Sequence, residues 1–466
     1  MHPQPPRMKP DLMDEQNKVF AHLLQYQKLY FVMLALLAIG SIFILNSQQH
    51  KPMLMGEETY YHLQRAQHLG WRNYYDLPLS GITRFLPTST WILLPLLLAI
   101  TAVLLLLSVA ARLNLPAKIT FFLTLFFITS PAFIFSFSTL SAHAIFLWLA
   151  LLGIYLSERN SGQQLAVVAW LLATSIDLFS SVLLLLSLSL FHLYRPKKTT
   201  MIALICLAIA IPLQGLFFHQ PFILGPFHQQ QIIADVVSDL GGRSGIGFFI
   251  LLLSIIGMAI SWKKKNIAKT YLFLPVALFG YIYSTETILI FSLLLVFFAA
   301  VTFVRLFEKP WVLDSLRKFT FLLLLLGVLF SLLTYVERAS TFPPSAADER
   351  SLLWMSKHLP EDAVVFSAPE NSYFIRYFSQ REPLYYLHQA GNEQHNATQA
   401  ILAARYIQEL FPLLEQHHIS VIYITPVMKE KLPVEQGLLF LFKNERFKLA
   451  YSYREVGVWI FSGGWS

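Results

Sequence analysis

The sequence predicts a polytopic α-helical membrane protein that carries one small α/β domain at its C-terminal end. Three observations lead there. The chain of 466 residues is 55% hydrophobic with only 13% charged residues, where a soluble chain of this length carries roughly 25%. Its apolar residues gather into about eleven stretches of the length a membrane crossing needs. After residue 336 the long apolar stretches stop, and short β-branched runs alternate with helical patterns.

The expected spans lie near 29–46, 91–110, 118–137, 142–157, 164–177, 179–194, 200–218, 246–262, 268–283, 287–304 and 319–336. The two around Asp177 are short enough to form a re-entrant pair. Residues 1–28 are polar and form an N-terminal tail. Leu29 to Leu45 reads as a retained anchor rather than a cleaved signal. The single cysteine, Cys206, lies inside a span and excludes an intrachain disulfide.

The net charge of +8 belongs on cytoplasmic loops, not in a nucleic-acid site. With the N-terminus inside, the inside loops hold Lys18 and Lys28, Arg112 and Lys118, Arg195 with Lys197 and Lys198, Lys263 to Lys265, and Arg305 to Lys318. The outside loops hold fewer basic residues. The expected orientation is therefore a cytoplasmic N-terminus, an outward loop 47–90, and an outward domain 337–466. That domain begins with a linker marked by Pro343-Pro344 and Asp348-Glu349-Arg350. Ala363 to Phe366 and Ser420 to Ile424 read as buried strands. Ala397 to Leu414 reads as one amphipathic helix, and Phe447 to Tyr453 with Val456 to Phe461 as a terminal hairpin.

The first outward loop contains Gly56-Glu57-Glu58-Thr59-Tyr60-Tyr61-His62-Leu63-Gln64-Arg65. Two adjacent carboxylates beside a membrane suit a divalent cation held against a lipid-borne phosphate. They also suit deprotonation of an acceptor. The competing reading is a solvated acidic loop with aromatic residues at the membrane interface.

Glu58-Thr59-Tyr60-Tyr61-His62-Leu63 resembles the acidic-Pro-Tyr-Tyr-His-Leu motif of the oligosaccharyltransferase catalytic subunit and its archaeal relatives. Tyr75 to Gly81, Arg84 and Pro87 are similar to the later part of the same loop. Trp354 to Val365 is similar to the start of that family's external domain. The layout, many spans followed by one outward α/β domain, looks like the GT-C membrane glycosyltransferases.

The resemblance implies transfer of a sugar or oligosaccharide from a polyprenyl (dolichyl-type) phosphate or diphosphate to an acceptor on the outer face. It implies a divalent cation, Mg or Mn, as cofactor. It places Glu58, Glu57 and Glu286 in catalysis, with Glu58 as a metal ligand; Asp177, an ionisable residue between two short spans on the outside, reads as a second metal ligand or as a helix cap. Tyr60, Tyr61, His62, Asp76, Arg84 and Arg243 are the residues expected on substrate, Arg243 because a guanidinium pairs well with phosphate oxygens. Expected partners are the polyprenyl-linked donor, a glycan, lipid or protein acceptor, and membrane lipids.

The sequence departs from the family in three places. The family's Trp-Trp-Asp-Tyr-Gly motif, which reads the Asn-sequon hydroxyl, gives way to Ala368-Pro369-Glu370-Asn371-Ser372. The second outward loop reads Ser138 to His143, with no carboxylate. Gln64 separates His62-Leu63 from Arg65. The expected acceptor is therefore something other than a standard sequon. Two alternatives stay open: a non-catalytic assembly subunit, which the missing carboxylate favours, and a transporter or flippase of lipid-linked sugars. The outward rather than mid-span position of the acids argues against the last.

Overall fold

A computed structural model describes residues 22–67, 91–174, 178–218, 236–262, 269–283, 287–386, 392–432 and 437–462. In chain order the elements are α1 (Gln27–Gln48), α2 (Glu57–Gln67), α3 (Leu93–Arg112), α4 (Ala117–Ile128), α5 (Pro131–Ser138), α6 (Ala142–Ser157), α7 (Gln163–Thr174), α8 (Leu178–Tyr194), α9 (Lys198–Phe218) and α10 (Phe248–Ser261). There follow α11 (Phe273–Tyr283), α12 (Ile288–Glu308), α13 (Asp314–Ala339), α14 (Ala346–His358), β1 (Val364–Phe366), β2 (Glu382–Pro383), α15 (Asn392–Ala403), α16 (Ile407–Gln416), β3 (Ile419–Ile424), α17 (Pro426–Lys431), α18 (Leu438–Leu441), β4 (Phe447–Tyr453) and β5 (Val456–Phe461). The described residues fall into two compact units, one within Met1–Ile42 and Leu93–Ala339, the other within Phe43–Ile92 and Ser340–Ser466.

The first unit is helical. Four described helices, α1, α3, α12 and α13, are long and apolar enough to cross a membrane. Several shorter apolar helices accompany them, as an integral membrane protein requires, since backbone polar groups in lipid must be paired within the segment. The expected single span 118–137 is instead two helices, α4 and α5, bent by 58°. The break has a local cause. Ser130 caps α5 by accepting a hydrogen bond from the Phe133 N–H at 3.2 Å, and Pro131 stands at the first helical position, where its missing N–H costs nothing. At the other end of the unit, α13 runs on to Ala339, beyond the expected limit of 336.

The second unit holds a five-stranded mixed sheet in the order β2-β1-β3-β5-β4. β1 is parallel to β2 and β3, while β5 is antiparallel to β3 and β4. All six residues of β3 are buried, which explains its uninterrupted apolar reading as a central strand. Phe366, Ile401, Leu410, Ile422, Leu438 and Phe461 belong to the core beneath it. β1, β3 and the β4–β5 hairpin lie where the sequence predicts them, while the short edge strand β2 is not among the expected elements.

Two expectations in this unit are corrected. Asp348-Glu349-Arg350 is not linker but the first turn of α14. Ser345 and Asp348 form a reciprocal capping box there, which satisfies helix N–H groups that would otherwise lack acceptors. The helix expected over 397–414 is broken between α15 and α16. Tyr406 adopts an extended conformation as the N-cap of α16, and the Arg405 N–H turns to the Glu409 carboxylate at 3.1 Å.

Candidate functional site

The acidic segment is a helix rather than a loop. Gly56 takes a left-handed conformation, φ 85°, which glycine adopts without strain, and its N–H donates to Pro343 O at 3.0 Å. Helix α2 then begins with Glu57 and Glu58 in its first turn, where carboxylates are stabilised by the positive end of the helix dipole. Thr59 adds a 2.7 Å bond from its hydroxyl back to Met55 O.

Tyr60 anchors this helix to the α/β unit. It is 3% exposed, and its hydroxyl donates to Leu54 O at 3.0 Å. Its ring centroid lies 5.2 Å from that of Phe374, 5.1 Å from that of Tyr377 and 5.1 Å from that of Phe378. Burial, reinforced by the neighbouring Tyr377 and Glu349, pushes its hydroxyl pKa well above the ordinary range.

Tyr61 is half-buried, with its ring 4.9 Å from Tyr373 and 5.0 Å from His62. His62 is buried and sets its Nε2 3.8 Å from the Glu58 carboxylate one turn back. The Glu58 side chain is 17% exposed. Further along, Gln64 bonds to the Tyr386 hydroxyl, which in turn donates to Glu382 at 3.0 Å. Glu382 is paired with Arg376 at 2.9 Å.

The turn opposite α2 follows β1. It comprises a short 3-10 turn Pro369–Asn371, one helical turn Ser372–Phe374 and a π-helical turn Ile375–Ser379. This is the place where the family's sequon-reading motif would fall. Here Ser367, Asn371 and Ser372 are buried, while Glu370 is half-buried. Asn371 donates to the Ser367 hydroxyl at 2.9 Å, and that hydroxyl donates to Tyr423 O at 2.7 Å.

Beneath lies a buried acid that sequence reading passed over. Asp348 accepts from the Ser345 N–H at 2.8 Å, the Ser345 hydroxyl at 2.7 Å and the Tyr423 hydroxyl at 2.6 Å. Its neighbour Glu349 has its carboxyl pKa raised by burial, against the pull of Arg350. Burial lowers the pKa of Lys51, opposed by the charge of Asp348. The Lys51 ammonium donates to Ser340 O at 2.6 Å. Two sequence signals pointed here. Ser345 and Asp348 stand at capping-box spacing, and Tyr373-Phe374 with Tyr377-Phe378 makes an aromatic stripe at helical spacing.

The remaining expected residues are elsewhere. Arg243 is exposed in the first unit, on the segment between a 3-10 turn Ser238–Leu240 and α10. That segment is braced: Tyr335 donates to Arg243 O, Arg338 donates to Gly242 O at 2.9 Å, and Asp239 accepts from Ser331 at 2.8 Å. His143, at the place where the resemblance puts a carboxylate, is buried in the first turn of α6. Asp76, Arg84, Asp177 and Glu286 lie outside the described residues.

Among the described residues no three His, Cys, Asp or Glu side chains gather into a group able to hold a metal ion. Glu58 and His62 supply two donors, whereas magnesium takes near-octahedral coordination, so these residues alone do not complete such a site.

No family model matches the chain, and no curated protein matches it by sequence. Solved structures do. The chain is similar to the crystal structure of the Archaeoglobus fulgidus oligosaccharyltransferase tethered with an acceptor peptide containing the NVT sequon. The TM-score is 0.58 at 13% identity, over 87% of this chain and 70% of that one. It is also similar to the same enzyme in complex with Zn and sulfate, with TM-score 0.56 at 11% identity, over 85% of this chain and 67% of that one. At such identities the likeness speaks for the fold alone, and the fold of this chain is similar to that of the Archaeoglobus fulgidus oligosaccharyltransferase.

Proposed function

We propose that this chain is a membrane glycosyltransferase. It moves a sugar or oligosaccharide from a polyprenyl phosphate or diphosphate to an acceptor on the outer face of the membrane. The observation that carries the reading is helix α2, with Glu57 and Glu58 in its first turn and Tyr61 and His62 beside them, in a chain whose fold is similar to that of the oligosaccharyltransferase. In this reading Glu58 takes the acceptor proton or orients the acceptor group, and His62, packed one turn on, holds the carboxylate in place. Arg243 is assigned to the donor phosphate on its chemistry, a planar guanidinium suited to paired phosphate oxygens. The N-terminus is cytoplasmic and residues 337–466 lie outside.

The related structures hold a sequon peptide in one case and Zn with sulfate in the other. A divalent cation belongs to this reading only with further ligands, for which Asp76, Asp177 and Glu286 are the candidates. The acceptor is a lipid-linked sugar, a glycan or a protein recognised without the standard sequon contact. The inward-turned polar groups of Ser367 and Asn371 support this.

The test is incubation of the purified chain with radiolabelled polyprenyl-phosphate and polyprenyl-diphosphate sugars and a divalent cation. Sugar release or transfer is expected, and release from none of these donors would refute the reading. A sequon peptide and its Thr→Ala variant, added as acceptors, decide the acceptor class. Efficient transfer to the first and none to the second would show that sequon recognition survives by another route.

A further inference from the structure

Helices α10 and α12 lie backbone to backbone. Ser254 donates to Leu295 O at 2.7 Å, and Thr302 donates to Leu253 O at 2.9 Å. A Cβ at Gly257 would stand 2.2 Å from Phe298 O, so only glycine permits this approach. The contacts Ser254 to Leu295 and Gly257 to Phe298 advance together, so the two helices run parallel. One turn beyond Gly257 and Thr302 come Ser261 and Arg305, at the same end of the pair.

At that end the hydrogen-bonding groups are left unmatched. The Ser261 hydroxyl and both terminal nitrogens of Arg305 are buried and have no hydrogen-bond partner among the described residues. The acid one turn further along α12, Glu308, is paired with Lys118 at 3.1 Å. A guanidinium enclosed without an acceptor is costly, and ionisable groups within membrane-spanning segments mark functional positions.

A groove of about 580 Å³ opens beside this end, lined by Met258, Ala259, Trp262, Tyr271, Leu274 and Pro275. Its wall is amphipathic in the way a membrane interface favours. The Tyr271 ring lies 5.1 Å from those of Trp262 and Phe298, and its hydroxyl donates to Met258 O. Tyr271 also lies within electrostatic reach of Arg305. In the sequence Trp262 is followed directly by Lys263, Lys264 and Lys265. Basic runs of this kind next to a span attract anionic headgroups.

We propose that the Ser261–Arg305 end of α10 and α12 binds the phosphate of an anionic phospholipid, one of whose acyl chains lies along the Met258–Pro275 groove. Arg305 takes the phosphate oxygens, and Trp262 and Tyr271 frame the headgroup. By the basic-loop bias this is the cytoplasmic leaflet. The site is independent of the transferase reading, and its test needs no activity.

The test uses the full chain in detergent, stripped of lipid. Phosphatidylglycerol, phosphatidylcholine or inorganic phosphate is added, and bound lipid is counted by native mass spectrometry alongside the thermal midpoint. Saturable retention of phosphatidylglycerol and a raised midpoint are expected, since a ligand of the folded state stabilises it by mass action. Arg305→Gln should weaken phosphatidylglycerol binding about tenfold, the loss of roughly one charge-assisted contact. Leu274→Trp, which fills the groove and keeps the arginine, should weaken it as well, and decides the matter if Arg305→Gln does not fold. Equal binding by wild type and both variants would overturn the site. An equal midpoint shift with inorganic phosphate alone would overturn the lipid as its ligand.

Discussion

Tyr61 and Tyr373 stand edge to face with their ring centroids 4.9 Å apart, although one comes from the helix after the first span and the other from the C-terminal domain. With Tyr60 on the rings of Phe374, Tyr377 and Phe378, this contact makes the acidic helix part of the α/β unit. The orientation of Glu57 and Glu58 is thus set by the packing of residues far away in sequence.

Tyr60→Ala should therefore destabilise the second unit by about 3–5 kcal/mol, the usual cost of emptying a buried aromatic site. Tyr60→Phe keeps the ring and loses only the bond to Leu54, so it should cost about 1 kcal/mol. Thermal melting in detergent, with proteolysis of the second unit as a second readout, ranks the two. Equal melting of wild type and Tyr60→Ala would contradict the anchoring role.

Glu58→Gln preserves shape and removes charge at a partly exposed first-turn position. Sugar transfer should fall by about a hundredfold or more while the melting temperature stays near that of wild type. Activity within a few-fold of wild type would exclude Glu58 from the chemistry.

The Glu349 carboxyl has its pKa raised by burial, so the folded state holds its proton more tightly than the unfolded chain does. Its stabilising effect is complete below the ordinary glutamate value of 4.5 and is lost as pH rises through the raised value. Glu349→Gln, which stays neutral, should gain stability relative to wild type as pH rises from 4 to 7. Melting curves across that range that stay parallel would refute this.

Reporter fusions at Lys198 and Lys265 should report the cytoplasm, and a fusion at Ser466 the outside, as the alternation of basic loops requires. A cytoplasmic signal at Ser466 would remove both the topology and an outer-face site.

The four long apolar helices α1, α3, α12 and α13, β3 and the β4–β5 hairpin were legible in the sequence, because each is written in a local pattern. An apolar run or an alternating one is decided by neighbours a few residues apart. The bend between α4 and α5 was only half legible. Pro131 and Ser130 are local signals, but the apolar run continues across them and conceals the break. The same holds between α15 and α16, where the amphipathic pattern runs through Tyr406.

What the sequence by itself determined is the class of the protein and the residue types available for chemistry; it read the acidic segment as a loop, where the structure has the start of a helix. Tertiary structure alone decided that Tyr60 is an anchor, that Asp348 is a buried hub rather than part of a linker, and that Arg305 ends in donors unmatched among the described residues. Those outcomes depend on which distant side chains meet. A buried polar group is satisfied or orphaned by partners that carry no mark in the flanking sequence.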